Sequence, residues 1–547
     1  MNRTRALVFL SLVSLAAVGG DPVWAGPAGV DDGELAARAD RLGRLDRAVR
    51  AADVRDASLR VFDSRPWARA EVRSLARLRA ARSDQAYAAK VERVRAFLGT
   101  AAGDGRTAFE LELARLPEAR AAELARELGC GERPARPCLA AFYRDDARVL
   151  LEAELAAVER LPDAAAVDAW LAALDNDLRP SIKTRGRIKR QALTAPAFPF
   201  VYAWRKRHSA QEYEGPQPID FPHARVYRPE GTRAANGPRD AELLARWAPV
   251  LVQEVDPAPD YPERDDHFGA LHLEREGGDV VAAVDVSRPA SYAYVDRLPI
   301  RHGTELTQLV YTFWYPEHPK LKKPIDVEHG DVEGITLRLT LDPAGVPRLF
   351  ETVYNCGCSH RLFVDRRLEA AAAAEYGAPE EGRPYSVQRH LDGKIDWIVP
   401  ELVDVVPGER PWLFVRSAFH LPAAVRFAPP SSLEAAVTGE ESYEVVAYEE
   451  LERMPFEGRP LGVFDDTGLV RGAHRLEGLV LMPLGLYHAG HPRQRRTQLI
   501  HFDQADFDDP GIYERYLRLP DDFWRPAPTG GTHTATAARE ESAGGER

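Results

Sequence analysis

The fold of this chain is decided by residues 326–360, which read DVEHGDVEGITLRLTLDPAGVPRLFETVYNCGCSH. Apolar residues in Ile335–Leu341 alternate with polar ones, which is the period-two pattern of a half-buried strand. The residues from Asp342 to Gly345 are of the types found in tight turns, and a second apolar run follows from Val346 to Tyr354. The stretch therefore predicts a β-hairpin.

The turn also predicts the register of this hairpin, because Asp342 is expected to face Gly345. The pairs that follow are Glu333 with Tyr354, Asp331 with Cys356, and His329 with Cys358. Directly opposed residues lie on the same side of a sheet, so this register gathers metal-binding side chains on one face. That face is shared with Ile335 and is expected to be buried, where ionised carboxylates are costly unless a partner or a cation compensates them.

His329, Asp331 and Glu333 are the first candidate site, because strand alternation lets all three side chains point at one divalent metal ion. Carboxylate ligands favour Ca²⁺, Mg²⁺ or Mn²⁺, whereas His and Cys ligands favour Zn²⁺ or copper. The alternative is a buried hydrogen-bond network closed by Arg338 or Tyr311. The sequence leaves both interpretations open.

The segment Cys356-Gly-Cys358 has two interpretations of its own. One is a strained disulfide, which an oxidising compartment favours. The other is a pair of thiolates that binds copper or zinc together with His360, as in a copper or redox protein. Cys130 and Cys138 flank a short loop between helical stretches, and we expect them to form a disulfide.

Other histidines are candidates for proton transfer or metal binding. His488 and His491 lie in a loop rich in Gly and Pro, where they could act as an acid–base pair or where His491 could be a further ligand. We name His360 and His488 as candidate catalytic proton carriers. His420 and His267 stand alone in the sequence, a placement more typical of a structural histidine than of a ligand.

The whole chain is predicted to be α+β, with a helical domain followed by an antiparallel β-sandwich. The predicted division is a signal peptide over 1–25, a helical domain over 26–180, a basic and aromatic linker over 181–214, a β-rich metal-binding domain over 215–525 and a disordered tail over 526–547. The signal peptide predicts export to the periplasm or the extracellular space.

Charge and missing motifs exclude several classes of function. The formal net charge of −12 argues against a general nucleic-acid binder. The segment 183–207 has basic and aromatic residues without an acidic one, which fits contact with an anionic membrane or polysaccharide, or packing on an acidic neighbour domain. The chain has no Gly-x-Ser-x-Gly elbow, P-loop, His-Glu-x-x-His helix or dinucleotide fingerprint.

The stretch LVYTFWYP at 309–316, followed by HGDVE at 329–333, resembles two related groups. These are the NPP1-like necrosis-inducing secreted proteins and the Vps62-related proteins. The resemblance implies a β-sandwich in which Asp331 and Glu333, with His329, hold a divalent cation that recognises lipid head groups. Val332 departs from the pattern, because a Trp occupies that position in the family motif.

Three functions follow as hypotheses from these observations. The first is an exported metal-dependent hydrolase, in which a divalent metal lowers the pKa of a bound water. The second is a non-catalytic protein that binds a small molecule, lipid or glycan and acts on membranes. The third is a copper or redox protein that uses the Cys-Gly-Cys-Ser-His segment.

Overall fold

A computed structural model describes most of the chain between residues 31 and 524. The described residues are 31–56, 59–70, 74, 86–177, 216–233, 237–256, 266–299, 305–320, 329–355, 360–389, 399–465, 468–473, 513 and 516–524. The predicted signal peptide, the linker 181–214 and the tail 526–547 lie outside the described residues. So do Cys356, Cys358, His488 and His491.

The first part of the chain is helical, as its periodicity predicts. Its helices are α1 (Asp32–Ala51), α2 (Tyr87–Arg115), α3 (Glu118–Glu127), α4 (Ala135–Glu159) and α5 (Ala164–Asp177), with short strands β1 (Arg60–Val61) and β2 (Arg69–Ala70) paired after α1. Asp31 caps α1 by accepting a hydrogen bond from Gly33 N, and Leu42, Leu45 and Val49 bury one face of that helix. The sulfur atoms of Cys130, after α3, and Cys138, in the first turn of α4, lie 2.13 Å apart, the distance of a disulfide bond.

The rest of the described chain is rich in β-strands. They are β3 (Ala224–Arg233), β4 (Val250–Glu254), β5 (Ala270–Glu276), β6 (Asp279–Asp285), β7 (Ala290–Pro299), β8 (Glu305–His318), β9 (Gly330–Leu341), β10 (Pro347–Tyr354), β11 (Arg361–Asp365), β12 (Leu402–Val403), β13 (Trp412–Val415), β14 (Pro422–Arg426), β15 (Val437–Ala447), β16 (Met454–Phe456) and β17 (Arg459–Leu461). The helices among them are α6 (Pro238–Trp247), α7 (Arg366–Tyr376), α8 (Leu433–Ala436) and α9 (Asp521–Trp524), and a 3₁₀ helix spans Tyr448–Glu452. No helix in the described part of the chain is long and apolar enough to cross a membrane.

One 11-stranded sheet dominates, in the order β12-β11-β10-β9-β8-β7-β15-β3-β4-β13-β14. It is mixed, because β15 lies parallel to both β3 and β7, and β13 lies parallel to β4. The chain is therefore α+β, but its large sheet is mixed and single where the sequence predicted an antiparallel sandwich. The physical reason is that long connections, such as the one holding α8, let a strand enter the sheet beside a distant partner, which a short hairpin does not allow.

This sheet curls into a nearly closed barrel around one apolar core. The core draws on strands from the whole sheet, including Leu337 of β9, Phe363 of β11 and Val425 of β14. Arg361 of β11 bridges the two ends of the sheet, since its Nη1 donates to the carbonyl oxygens of Pro422 at 2.8 Å and Ala423 at 3.1 Å in β14. Side-chain hydrogen bonds thus hold the seam where the strands do not form a ladder.

The predicted hairpin is present as β9 and β10, with its register shifted by two residues. Tyr354 pairs with Ile335 where the sequence predicted Glu333. The shift arises because Asp342 N bonds Val346 O across the turn, with Gly345 at φ +79°, and because a bulge follows between Pro347 and Leu349. A shift of two residues keeps every side chain on its predicted face.

Candidate functional site

The candidate site lies at one mouth of the curled sheet. Antiparallel and parallel pairings together bring the ends of β4, β8 and β13 to this mouth, along with the starts of β9 and β14. Glu333 of β9 pairs with Tyr315 of β8, and both side chains face the interior of the barrel. The site is therefore a group of polar side chains at one end of an apolar core.

Glu333 is the centre of a buried cluster of acidic and histidine side chains. His318 at the end of β8 places its Nδ1 3.1 Å from Glu333 Oε1, and His420 places its Nδ1 2.6 Å from Glu333 Oε2. Glu333 is 4% exposed, His318 2% and His420 0%. One carboxylate thus accepts hydrogen bonds from two imidazole rings out of contact with bulk water.

His420 lies between two carboxylates and is held as a cation. Its Nε2 lies 3.6 Å from Asp266 Oδ1, and Tyr315 stacks on its ring with the centroids 3.8 Å apart. Burial alone would lower the pKa of His420, but its interactions with Asp266 and Glu333 outweigh burial and raise that pKa to about 9. An imidazolium at this position compensates the charge of Glu333.

The backbone around the cluster adopts unusual conformations. Val332 has φ +50°, Ala418 has φ +61° and His420 has φ +47°, all in the left-handed region. Such values are costly for residues other than Gly, and most of all for a β-branched valine. Strain of this kind is typical of places where surrounding contacts fix a functional geometry, and here it surrounds Glu333 and His420.

A further layer of hydrogen bonds holds the loop between β13 and β14. Ala418 N donates to Asp266 Oδ1 at 2.8 Å, and Ser417 N donates to Glu254 Oε2 at 3.1 Å. Gln253 accepts a hydrogen bond from Tyr315 at 2.9 Å. Glu254 at the end of β4 and Asp266 thus fix the loop that carries His420.

His318 has one ring nitrogen engaged and one without a partner. Its Nδ1 donates to Glu333, because an ionised carboxylate only accepts, and in the neutral ring Nε2 then carries a lone pair. That Nε2 is buried and has no hydrogen-bond partner in the described structure. His329 is oriented in a related way, since its Nδ1 donates to the carbonyl oxygen of His318 at 2.9 Å.

The structure separates the three residues of the predicted metal site. Glu333 is buried, His329 is half-buried and Asp331 is exposed opposite Glu317. Within the described residues, no group of three His, Cys, Asp or Glu side chains is arranged to hold a metal ion. The left-handed backbone at Val332 interrupts the alternation that the sequence argument assumed.

His360, a predicted proton carrier, lies on the other face of the sheet. Its Nε2 is 3.1 Å from Glu351 Oε1, and Glu351 pairs with Arg338, on the face opposite to that of Leu337. Burial lowers the pKa of His360, although Glu351 acts in the opposite direction. Tyr513 also donates to Glu351, so His360 belongs to a second buried network that the sheet separates from Glu333.

Gly334 next to Glu333 offers a test of how tightly this mouth is packed. A Cβ at Gly334 would lie 2.1 Å from Asn355 Nδ2 and 2.8 Å from Trp314 Cε3. We expect Gly334→Ala to lower the free energy of unfolding by about 1–3 kcal/mol, as overpacking does. Gly103→Ala in α2, with no atom within 4 Å of the added Cβ, is expected to raise it by about 0.5–1 kcal/mol. Urea denaturation of both variants measures the two effects, and equal effects would contradict the close packing.

Sequence reasoning missed His318 and Asp266 as members of the cluster. Strict alternation along β8 places His318 on the face opposite Tyr315, and Asp266 is distant in sequence from every other member. In the sequence, Asp266 is marked as a candidate only by its place between Asp265 and His267. Comparisons of the chain with protein-family models, with curated proteins and with solved structures find no match.

Proposed function

We propose that this protein is a metal-dependent hydrolase whose divalent metal binds at the barrel mouth through His318, with Glu333 as the residue that orients the ring. The observation that carries this proposal is the buried Nε2 of His318, which has no hydrogen-bond partner in the described structure. A buried polar atom without a partner is costly, and a metal ion bound to Nε2 would remove that cost.

The arrangement of the two histidines supports the same reading. Histidines that bind metals usually donate their other ring N–H to a carboxylate or a backbone carbonyl. His318 does so to Glu333, and His329 does so to the carbonyl oxygen of His318. A metal would therefore meet His318 through Nε2, and the role of Glu333 in this proposal changes from ligand to support.

The residues of the cluster have separable tasks in this proposal. Glu333 accepts a hydrogen bond from Nδ1 of His318 and so favours the neutral tautomer that has a lone pair on Nε2. His420, charged between Glu333 and Asp266, places a positive charge beside the Glu333 carboxylate. A bound divalent metal would supply Lewis acidity and lower the pKa of a water molecule. Imidazole ligands favour Zn²⁺ over Ca²⁺ or Mg²⁺, although Asp331 at the edge of the mouth would favour the harder ions.

We expect His318→Gln to weaken Zn²⁺ binding by about 10- to 100-fold, because loss of a ligand or of its support has effects of that order. Isothermal titration of the purified, metal-stripped protein with Zn²⁺, Mn²⁺ and Ca²⁺ measures the affinities. His223→Gln is the matched control, because His223 lies directly before β3 and is not a member of the cluster. This variant is expected to bind Zn²⁺ with the affinity of the wild type. Equal Zn²⁺ affinity in wild type and His318→Gln would contradict the proposal.

Hydrolysis is tested in the same proteins with activated ester and phosphate-ester probes. We expect turnover that depends on added metal in the wild type and the His223→Gln control, and none above background in His318→Gln. Metal binding without turnover, together with metal-dependent leakage from anionic lipid vesicles, would instead favour the membrane-acting alternative that the family resemblance implies.

A further inference from the structure

A cavity lies on the outer wall of the curled sheet. It has a volume of about 790 Å³ and is lined by residues of β3, β5, β7 and β15, by the 3₁₀ helix and by the start of β16. Leu271, Tyr292 and Val446 form an apolar floor that belongs to a different core cluster from the barrel interior. Glu333, His318 and His420 do not line this cavity, so it is separate from the candidate metal site.

Part of the charge around the cavity is already compensated. Arg233 forms an ion pair with Glu444 at 2.8 Å and lies 3.9 Å from Glu450. All three residues line the rim, and about half of each side chain is exposed. These three charges compensate one another without a ligand. Two further charged residues of the rim do not belong to this group.

Arg288 and Glu230 are those two residues. Within the described chain, neither side chain forms a hydrogen bond or an ion pair, and both are exposed. The neighbouring carboxylate of Asp285 instead accepts hydrogen bonds from Ser287 N at 3.1 Å and Ser287 Oγ at 2.6 Å. The cavity thus presents one positive group, whose charge also acts on Asp285, and one negative group, and neither forms an ion pair within the described chain.

The backbone of β3 is irregular at Glu230. Tyr443 of β15 pairs with Pro229, but Val445 pairs with Thr232, so an extra residue is accommodated in β3 between these pairs. Gly231 has φ +76°, the left-handed conformation that such bulges use. A bulge re-aims the side chains around it, and this one lies where Glu230 meets the cavity.

Glu230 lies in β3 and Arg288 lies two residues before β7, so the sheet sets the spacing of the backbones that carry these two charges. Glu444 of β15 pairs with Ala290 of β7 on one side, and the bulge of β3 lies on its other side. Strands β3 and β7 are therefore two strand spacings apart, about 10 Å. An extended chain of three amino acids also spans about 10 Å between its ends.

We propose that this cavity binds a short peptide with free termini. The peptide ammonium group pairs with Glu230, its carboxylate pairs with Arg288, and its apolar side chains lie on Leu271 and Tyr292. Opposite charges on a single ligand match the opposite charges on the rim, and a ligand of three amino acids matches the spacing of the two backbones that carry them.

The test uses the tripeptide Leu-Ala-Leu in three forms: unmodified, N-acetylated and C-amidated. Isothermal titration with the full-length protein is expected to show saturable binding of the unmodified tripeptide, weakened about fivefold by each cap. In Arg288→Gln the amidated and unmodified forms are expected to bind equally. In Glu230→Gln the acetylated and unmodified forms are expected to bind equally.

Arg239→Gln is the matched control, because Arg239 is an exposed arginine of α6 outside the cavity lining. It is expected to discriminate between the three tripeptides as the wild type does. Absence of saturable binding at millimolar tripeptide would overturn the proposal. So would cap effects that persist unchanged in Arg288→Gln and Glu230→Gln. These variants leave the candidate metal site intact, so a negative result here does not bear on metal binding.

Discussion

Glu333→Gln is expected to lower the free energy of unfolding at pH 7 by about 3 kcal/mol. The substitution keeps the shape of the side chain but removes one of the two carboxylates that hold the charged ring of His420. Because His420 is fully buried, water cannot solvate its charge when the compensating carboxylate is lost. The measurement is urea denaturation of both proteins at the same pH and salt concentration.

The pH dependence of stability isolates the charge on His420. Its folded pKa of about 9 lies above the ordinary value of 6.5, so the protonated ring stabilises the fold. That contribution, roughly 3 kcal/mol, is complete below about pH 6.5 and is lost as the pH rises through 9. We therefore expect the stability difference between wild type and His420→Gln to shrink between pH 6.5 and pH 9.5.

An exposed carboxylate of the same sheet provides the control for Glu333→Gln. Glu440 lies 3.4 Å from Arg228 in a solvent-exposed pair, and Glu440→Gln is expected to cost no more than about 0.5 kcal/mol. If Glu333→Gln and Glu440→Gln have similar effects, or if the His420→Gln difference is independent of pH, then His420 is not held as a cation by Glu333.

The hairpin illustrates what the sequence could predict. The alternation in Ile335–Leu341 and the turn at Asp342 sufficed to predict both strands and the face on which Glu333 lies. The register could not be predicted, because it depends on the bulge near Pro347 and on the backbone bond between Asp342 and Val346. Those features arise from the geometry of the turn and not from residue type alone.

The cluster around Glu333 shows why the site was predicted only in part. Sequence reasoning named Glu333 because it belongs to a local pattern of ligand-type residues. The partners of Glu333 come from the end of β8 and from the loop after β13, and Asp266 approaches from a third segment. Contacts of this kind follow from the curling of a mixed sheet, which the lengths and compositions of short strands do not specify.

The same limit applies to the division into domains. A helical region followed by a β-rich region was predicted, and both are present. The structure adds that they share a core, because Phe456 and Leu461 of the β16–β17 hairpin pack among the apolar residues of the helices. Buried polar contacts cross this interface as well, and one arginine at the end of α2 makes several of them.

Arg115→Met is expected to destabilise the protein by about 3–5 kcal/mol. Arg115 is fully buried, and its Nη2 donates to Glu452 Oε2 at 3.0 Å while its Nη1 donates to the carbonyl oxygen of Arg55 at 3.1 Å. Methionine keeps much of the apolar length but removes the charge that Glu452 faces. The free energy of unfolding from urea denaturation measures the loss, with Arg120→Met as the control, since Arg120 pairs with Glu123 at the surface.

A double-mutant cycle separates the ion pair from the packing of Arg115. Glu452→Gln alone leaves the buried guanidinium with less compensation, and the double variant Arg115→Met, Glu452→Gln removes both charges together. We expect the double variant to be less destabilised than the sum of the two single variants, with a coupling of about 1–3 kcal/mol. Additive effects would mean that Arg115 acts through packing and its backbone contacts alone. Coupling would mean that the buried ion pair joins the two parts of the protein, because Arg115 belongs to the helical part and Glu452 to the β-rich part.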